Sequence, residues 1–131
     1  MIDLYLCDDD PSARRQIQTI LENKILIEEY DMQIVCSAGS AGELLHSLGK
    51  KRQNIYLLDV ELNDGQWDGF LLGRELRRLD PHGILIFITG YGSLACRTFQ
   101  YHLEAFDYIV KTPEGLKASI HHCLEALQKR L

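Results

Sequence analysis

The chain has 131 residues and a mass of 15.0 kDa, and its 14 Lys and Arg against 19 Asp and Glu leave a formal charge of −5. With 46% apolar residues, one domain of ordinary size can bury a core without disulfide staples, and the acid excess argues against this segment gripping a phosphate backbone. No apolar run approaches the roughly 20 residues of a membrane span, the N-terminus lacks a secretory pattern, and Cys7, Cys36, Cys96 and Cys123 are too scattered for a zinc site or disulfide frame, so reduced thiols in a cytoplasmic protein are expected.

Ile2 to Cys7 is a β-rich run that ends in Asp8, Asp9 and Asp10. Pro11 to about Ile27 carries Ala13, Ile17, Ile20 and Leu21 at helical spacing, with Asp10 as N-cap and Pro11 at the first helical position. Met32 to Ser37 predicts a second strand, and Ala41 to Leu48 a short helix closed by Gly49. Lys50-Lys51-Arg52 is a solvated helix end. Asn54 to Asp59 is a third apolar run, again ending in an acid, followed by a loop with Asn63, Asp64, Gly65, Gln66 and Trp67. Phe70 to Leu79 places Leu72, Leu76 and Leu79 on one helical face, and Asp80-Pro81 ends it. Ile84 to Ile88 is the most apolar run and closes at Thr89-Gly90. Ser93 to about His102 is a helix of weak pattern, and Phe106 to Val110 a fifth strand ending at Lys111. Thr112-Pro113 repeats the cap-plus-proline signal ahead of Leu116, Ile120, Cys123, Leu124 and Leu127, the apolar stripe of a last helix.

This alternation is (βα)5 in the α/β class. Near-continuous apolar strands imply burial on both faces, hence a parallel sheet between helical layers. Right-handed crossovers make it a doubly wound, flavodoxin-like three-layer sandwich with strand order 2-1-3-4-5. Function in such sheets gathers at the carboxyl ends of the strands. There this chain offers Asp8, Asp9 and Asp10, then Asp59, Thr89 and Lys111. Crowded carboxylates repel and call for a positive partner. A hard divalent cation suits an all-oxygen site, and Mg²⁺ commonly takes one or two carboxylates with waters and phosphate oxygens. A hydroxyl and an ammonium on the other side of Asp59 are the donors that a phosphoryl group's oxygens need during in-line transfer.

The stretches LYLCDDDP, NIYLLDVELND, ILIFITG and FDYIVK, with Asp9, Asp59, Thr89 and Lys111 following one another at 50, 30 and 22 residues, resemble the receiver domain of bacterial two-component response regulators over the whole chain. The resemblance implies a phosphorelay switch, not a turnover enzyme beyond self-catalysed phosphotransfer and slow autodephosphorylation. Asp59 would accept a phosphoryl group from the phosphohistidine of a cognate sensor histidine kinase. Asp8, Asp9, Asp59 and the backbone carbonyl of Glu61 would hold Mg²⁺ or Mn²⁺. Thr89 would be the switch hydroxyl, Lys111 the phosphate-binding lysine and Tyr108 the switch aromatic. Glu61 and Tyr91, two residues past the acceptor and past the threonine, would modulate hydrolysis. A phosphorylation-dependent homodimer would carry the output, with no membrane partner.

LCDDDPSARRQIQTIL, YLLDVELN, ILIFITG and a non-proline after FDYIVK further resemble quorum-sensing regulators of the accessory gene regulator A type, which carry a LytTR DNA-binding domain after the receiver. Residues 1–131 are therefore expected to be a receiver domain without that DNA-binding part, so that transcription control and DNA contact would lie outside this chain. Two departures from the general receiver pattern stand out. Thr112 takes the place of a cis proline after the lysine, and a non-proline cis bond costs about 2.5–4 kcal/mol, so a trans Lys111-Thr112 bond is expected. The loop between Asp59 and Gly69 is also longer than usual. Two other readings stay open: a haloacid-dehalogenase-like phosphatase with Asp8 as nucleophile and Asp10 as acid/base, and a degenerate receiver that acts only by binding.

Overall fold

The computed structural model describes residues 1–62, 65, 67–90 and 103–131. Chain order is β1 (Ile2–Cys7), α1 (Pro11–Glu28), β2 (Met32–Ala38), α2 (Ala41–Ser47), β3 (Ile55–Asp59), α3 (Gly69–Leu79), β4 (Ile84–Thr89), β5 (Asp107–Val110) and α4 (Leu116–Arg130). The helix expected over Ser93 to His102 lies outside the described residues. All four strand pairings are parallel, in the order β2-β1-β3-β4-β5, as expected from the sequence.

Strand periodicity sorts the core into two layers. Leu4, Leu6, Ile55, Leu57, Ile86, Ile88 and Ile109 face α1 and α4, where they meet Ile17, Leu21, Ile120 and Leu124. Tyr5, Cys7, Tyr56, Leu58, Leu85 and Phe87 face α2 and α3, where they meet Leu44, Phe70, Leu72 and Leu76. Every residue of β3 is buried, which is why that strand shows no polar alternation. β1 lies beside both β2 and β3, so the residues after β1 and the last residue of β3 emerge side by side.

Local signals set most boundaries. Asp10 caps α1, its Oδ1 accepting from Ser12 N at 3.0 Å, with Pro11 opening the helix. Ser40 and Asp68 cap α2 and α3 in the same way. The last helix departs from expectation. Thr112 Oγ1 accepts from Gly115 N at 3.0 Å, closing a turn over Pro113 and Glu114, and the helix begins only at Leu116. The cap-plus-proline pattern therefore marks this turn and not the helix start. Asn54 is likewise outside β3, because its N–H donates to the buried carboxylate of Asp80 at 3.1 Å. Among the described residues no peptide bond is cis, so Lys111-Thr112 is trans.

Candidate functional site

The carboxyl ends of β1, β3, β4 and β5 gather Asp8, Asp9, Asp59, Thr89 and Lys111. Asp8 and Asp9 follow β1 directly, Asp59 ends β3, Thr89 ends β4, and Lys111 follows β5. One carboxylate oxygen from each of Asp8, Asp9 and Asp59 lies within 4.8 Å of the others, with Asp8 and Asp59 buried and Asp9 half-buried. A hard cation at the centre of these oxygens would meet the donor chemistry it prefers. The structure thus presents three carboxylates able to hold such an ion together.

Asp8 is held on all sides. Its N–H donates to Ala38 O at 3.0 Å, its C=O accepts from Arg14 Nη1 at 2.9 Å, its Oδ1 accepts from Asp10 N at 3.0 Å, and its Oδ2 accepts from Lys111 Nζ at 2.8 Å. Lys111 also stands 3.4 Å from Asp59 Oδ2. The ammonium therefore bridges both buried acids, where the sequence placed it only on the far side of Asp59. The reason is the β4–β5 pairing: Lys111 N donates to Thr89 O at 2.6 Å, so the lysine leaves the sheet beside β4 and its long stem spans β3 to reach Asp8.

Asp59 is only 5% exposed. Burial pushes its carboxyl up to about 6, the neighbouring Asp8 carboxylate adds to this, and Lys111 and the Glu61 N–H oppose it. That N–H donates to Asp59 Oδ1 at 3.2 Å. Burial alone would lower Lys111, but its bond to Asp8 and the charge of Asp59 outweigh it, so the lysine is raised and stays an ammonium. Backbone packing fixes the acceptor as well. Gly69 N donates to Val60 O at 2.8 Å, and a Cβ on Gly69 would sit 2.3 Å from Asp59 O and 2.6 Å from Val60 Cα. The first turn of α3 can lie this close to Asp59 only without a side chain there. In the sequence this glycine stood out only as the end of a loop.

Thr89 is fully buried, and its hydroxyl stands 3.4 Å from Glu61 Oε1, the side chain of Glu61 being exposed. Tyr108 pairs in register with Phe87, and Thr89 lies two residues beyond Phe87 on β4, so both side chains belong to the α2–α3 side of the sheet. The Tyr108 ring is half-buried and 6.4 Å from that of Phe87. Tyr91 lies outside the described residues, as do Asn63, Asp64 and Gln66. Trp67 packs half-buried against the α2–α3 core layer and lines a shallow depression with Leu71, Arg74 and Glu75. Asp10 is an exposed helix cap and is not part of the carboxylate cluster, which leaves the phosphatase reading without its acid/base. Arg14 went unnoticed in the sequence, because one arginine of an adjacent pair on a solvated helix turn carries no local signal.

A family model described as the response regulator receiver domain matches residues 4–121. Accessory gene regulator protein A of Staphylococcus aureus (strain N315) is 37% identical over 131 residues, which cover 98% of this chain and 54% of that protein. The chain thus spans about half the length of the curated relatives it matches. A response regulator receiver domain protein from Methanospirillum hungatei JF-1 superposes with a TM-score of 0.69 at 28% identity, covering 100% of this chain and 99% of that one. The response regulator protein TrrA from Thermotoga maritima, solved in complex with Mg²⁺ and BeF, shares the fold with a TM-score of 0.73 at 21% identity and full coverage of both chains.

Proposed function

The chain belongs to the response regulator receiver domain family, and from that premise we propose that Asp59 is its phosphoryl acceptor, served by a Mg²⁺ ion at Asp8 and Asp9 and by the ammonium of Lys111. The convergence of three carboxylates and one ammonium at adjoining strand ends carries this reading.

An oxygen of Asp59 attacks the phosphorus of a phosphohistidine on a cognate sensor kinase. The P–N bond breaks as the P–O bond forms, and the electron pair returns to the imidazole. When bound, Mg²⁺ supplies positive charge to the phosphoryl oxygens and offsets the repulsion between them and the acids. Asp8, Asp9 and Asp59 would hold the ion, and by the family resemblance the Glu61 carbonyl would add a further ligand. Lys111, which bridges Asp8 and Asp59, neutralises further charge at a largely buried site, where such contacts count for more than in water. The Glu61 N–H holds Asp59 Oδ1, which orients the carboxylate before the donor arrives.

The product carries about −1.5 to −2 charges where one stood before. Thr89 donates its hydroxyl to a phosphoryl oxygen in exchange for Glu61, and Tyr108, on the same side of the sheet, repacks with it. Glu61 and Tyr91 set the phosphate lifetime by screening or admitting water. The output is a new dimer or domain surface on the fifth strand and the last two helices, of which the one expected over Ser93 to His102 lies outside the described residues. By likeness to the accessory gene regulator proteins, a longer parent would pass this change to a LytTR domain on DNA, in a cytoplasmic quorum-sensing circuit. Among the described residues no helix is long and apolar enough to cross a membrane.

Incubation with acetyl phosphate and MgCl₂, followed by mapping of the modified peptide, tests the proposal. A label on Asp59 that is abolished by chelator and by Asp59→Ala is the expected result. A label on Asp8 that survives Asp59→Ala would establish the phosphatase reading instead, and the absence of any label would leave a binding module.

A further inference from the structure

We propose that Arg14 and Gly39 form a brace that fixes the peptide plane between Asp8 and Asp9, and so sets the direction of the Asp9 carboxylate and the affinity for Mg²⁺. The inference rests on the metal reading above and adds two positioning residues from elements that carry no ligand.

Three observations carry it. Arg14 Nη1 donates to Asp8 O at 2.9 Å. That oxygen belongs to the same rigid plane as the Asp9 N–H, so the bond restrains the rotation that would swing Asp9 away from the cluster. The Asp8 N–H, Oδ1 and Oδ2 are held by Ala38, Asp10 and Lys111, and Arg14 adds a hold on the C=O, the half of the Asp8–Asp9 peptide that Asp8 supplies. Next, Gly39 is shaped to admit the guanidinium. A Cβ there would lie 2.8 Å from Arg14 Nη1. Gly39 is not among the residues with positive φ, so its backbone does not require glycine, and its role is to leave room. Finally, Gly39 is itself pinned. Its N–H donates to Glu43 Oε2 at 2.8 Å, and Glu43 N donates to Ser40 Oγ at 3.1 Å. This reciprocal cap of α2 holds the wall against which Arg14 rests. Arg14 meets the cluster at the main-chain oxygen of Asp8. It acts through the backbone, in the manner of the outer-shell groups that orient metal ligands.

The sign of the effect separates a brace from a charge. Arg14 is a cation beside a cation site, so removing it should improve Mg²⁺ binding if only Coulomb repulsion mattered. A brace predicts the opposite. Calorimetric titration of MgCl₂ into the 131-residue chain is expected to show Arg14→Ala weakened by about tenfold, the low end for loss of an outer-shell partner. Arg14→Lys keeps the charge and one donor and should lie nearer wild type than Arg14→Ala. Gly39→Ala keeps Arg14 but displaces its guanidinium, and should weaken binding about as much as Arg14→Ala. The double variant should be no worse than Arg14→Ala alone, because both changes break one contact. Thermal unfolding in chelator should leave all of these variants folded with midpoints close to wild type. Asp9→Asn separates the two levels of the argument. If it binds Mg²⁺ as wild type does, the metal reading falls and the brace with it. If it loses binding while Arg14→Ala or Gly39→Ala binds as well as wild type or better, the brace alone is overturned.

Discussion

Replacing Asp59 by Asn is expected to stabilise the metal-free domain near neutral pH and to lose that advantage in mild acid. The carboxyl is 5% exposed, and burial, followed by the charge of Asp8, pushes it up from 3.8 to about 6 in the folded chain. A folded protein that binds a proton more tightly than its unfolded chain gains stability from that proton below the unfolded value. It loses this stability as pH rises through the folded one. The window therefore runs from about 4 to about 6, and above it the fold carries an ionised buried carboxylate at a cost. A separation of roughly two pH units corresponds to a ceiling of about 3 kcal/mol. Asparagine keeps an oxygen for the Glu61 N–H but gives up the attraction of Lys111, so a net gain of about 1–2 kcal/mol is expected near pH 7.5. Urea unfolding of both proteins in chelator, at about pH 7.5 and about pH 4.5, measures it. The curves should separate at the higher pH and converge at the lower. Added Mg²⁺ should reverse the order, because a ligand of the folded state stabilises by mass action and wild type binds it better. A less stable Asp59→Asn protein near neutrality in chelator, or a gain independent of pH, would refute the reasoning.

Removal of the ammonium in Lys111→Ala takes away the cation that stands 3.4 Å from Asp59 Oδ2; NMR titration should place the Asp59 carboxyl higher still, and labelling by acetyl phosphate should slow by at least about tenfold. Gly69→Ala forces a methyl to within 2.3 Å of Asp59 O; a loss of about 1–3 kcal/mol in urea unfolding is expected, together with reduced labelling, because the strain falls on the acceptor's own backbone. Tyr56→Phe deletes the hydroxyl that donates to Asp80 Oδ2 at 2.8 Å and accepts from Asn54 Nδ2 at 3.2 Å. Stability should fall by about 1–3 kcal/mol while the labelling rate stays at wild type, since this network lies at the opposite end of β3.

What could be read along the chain was what short-range chemistry controls. A strand buried on both faces must be apolar throughout, and Ile55 to Leu58 are. A helix start needs an acceptor for its free N–H groups, and Asp10-Pro11 supplies it. An acid at the end of a buried strand has few uses other than chemistry, so Asp8, Asp9 and Asp59 stood out, and the strand order then brought them together. Even local grammar had limits. Thr112-Pro113 satisfies both a helix start and a turn, and only the packing of α4 from Leu116 onward selects the turn.

The tertiary structure alone decided the contacts that join distant segments. Lys111 reaches Asp8 across 103 residues, and its choice of two partners depends on where β5 lies beside β4. Gly69 matters because α3 approaches Asp59, and Gly39 because a guanidinium from α1 fills the space beside it. Asp80 looked like a helix end, yet it is a buried carboxylate that accepts from Gln53 N, Asn54 N and the Tyr56 hydroxyl. Residue type and spacing carry hydrophobic period and capping, because those forces act within a few residues. Close approach and the direction of a charge depend on distances that exist only once the sheet has closed.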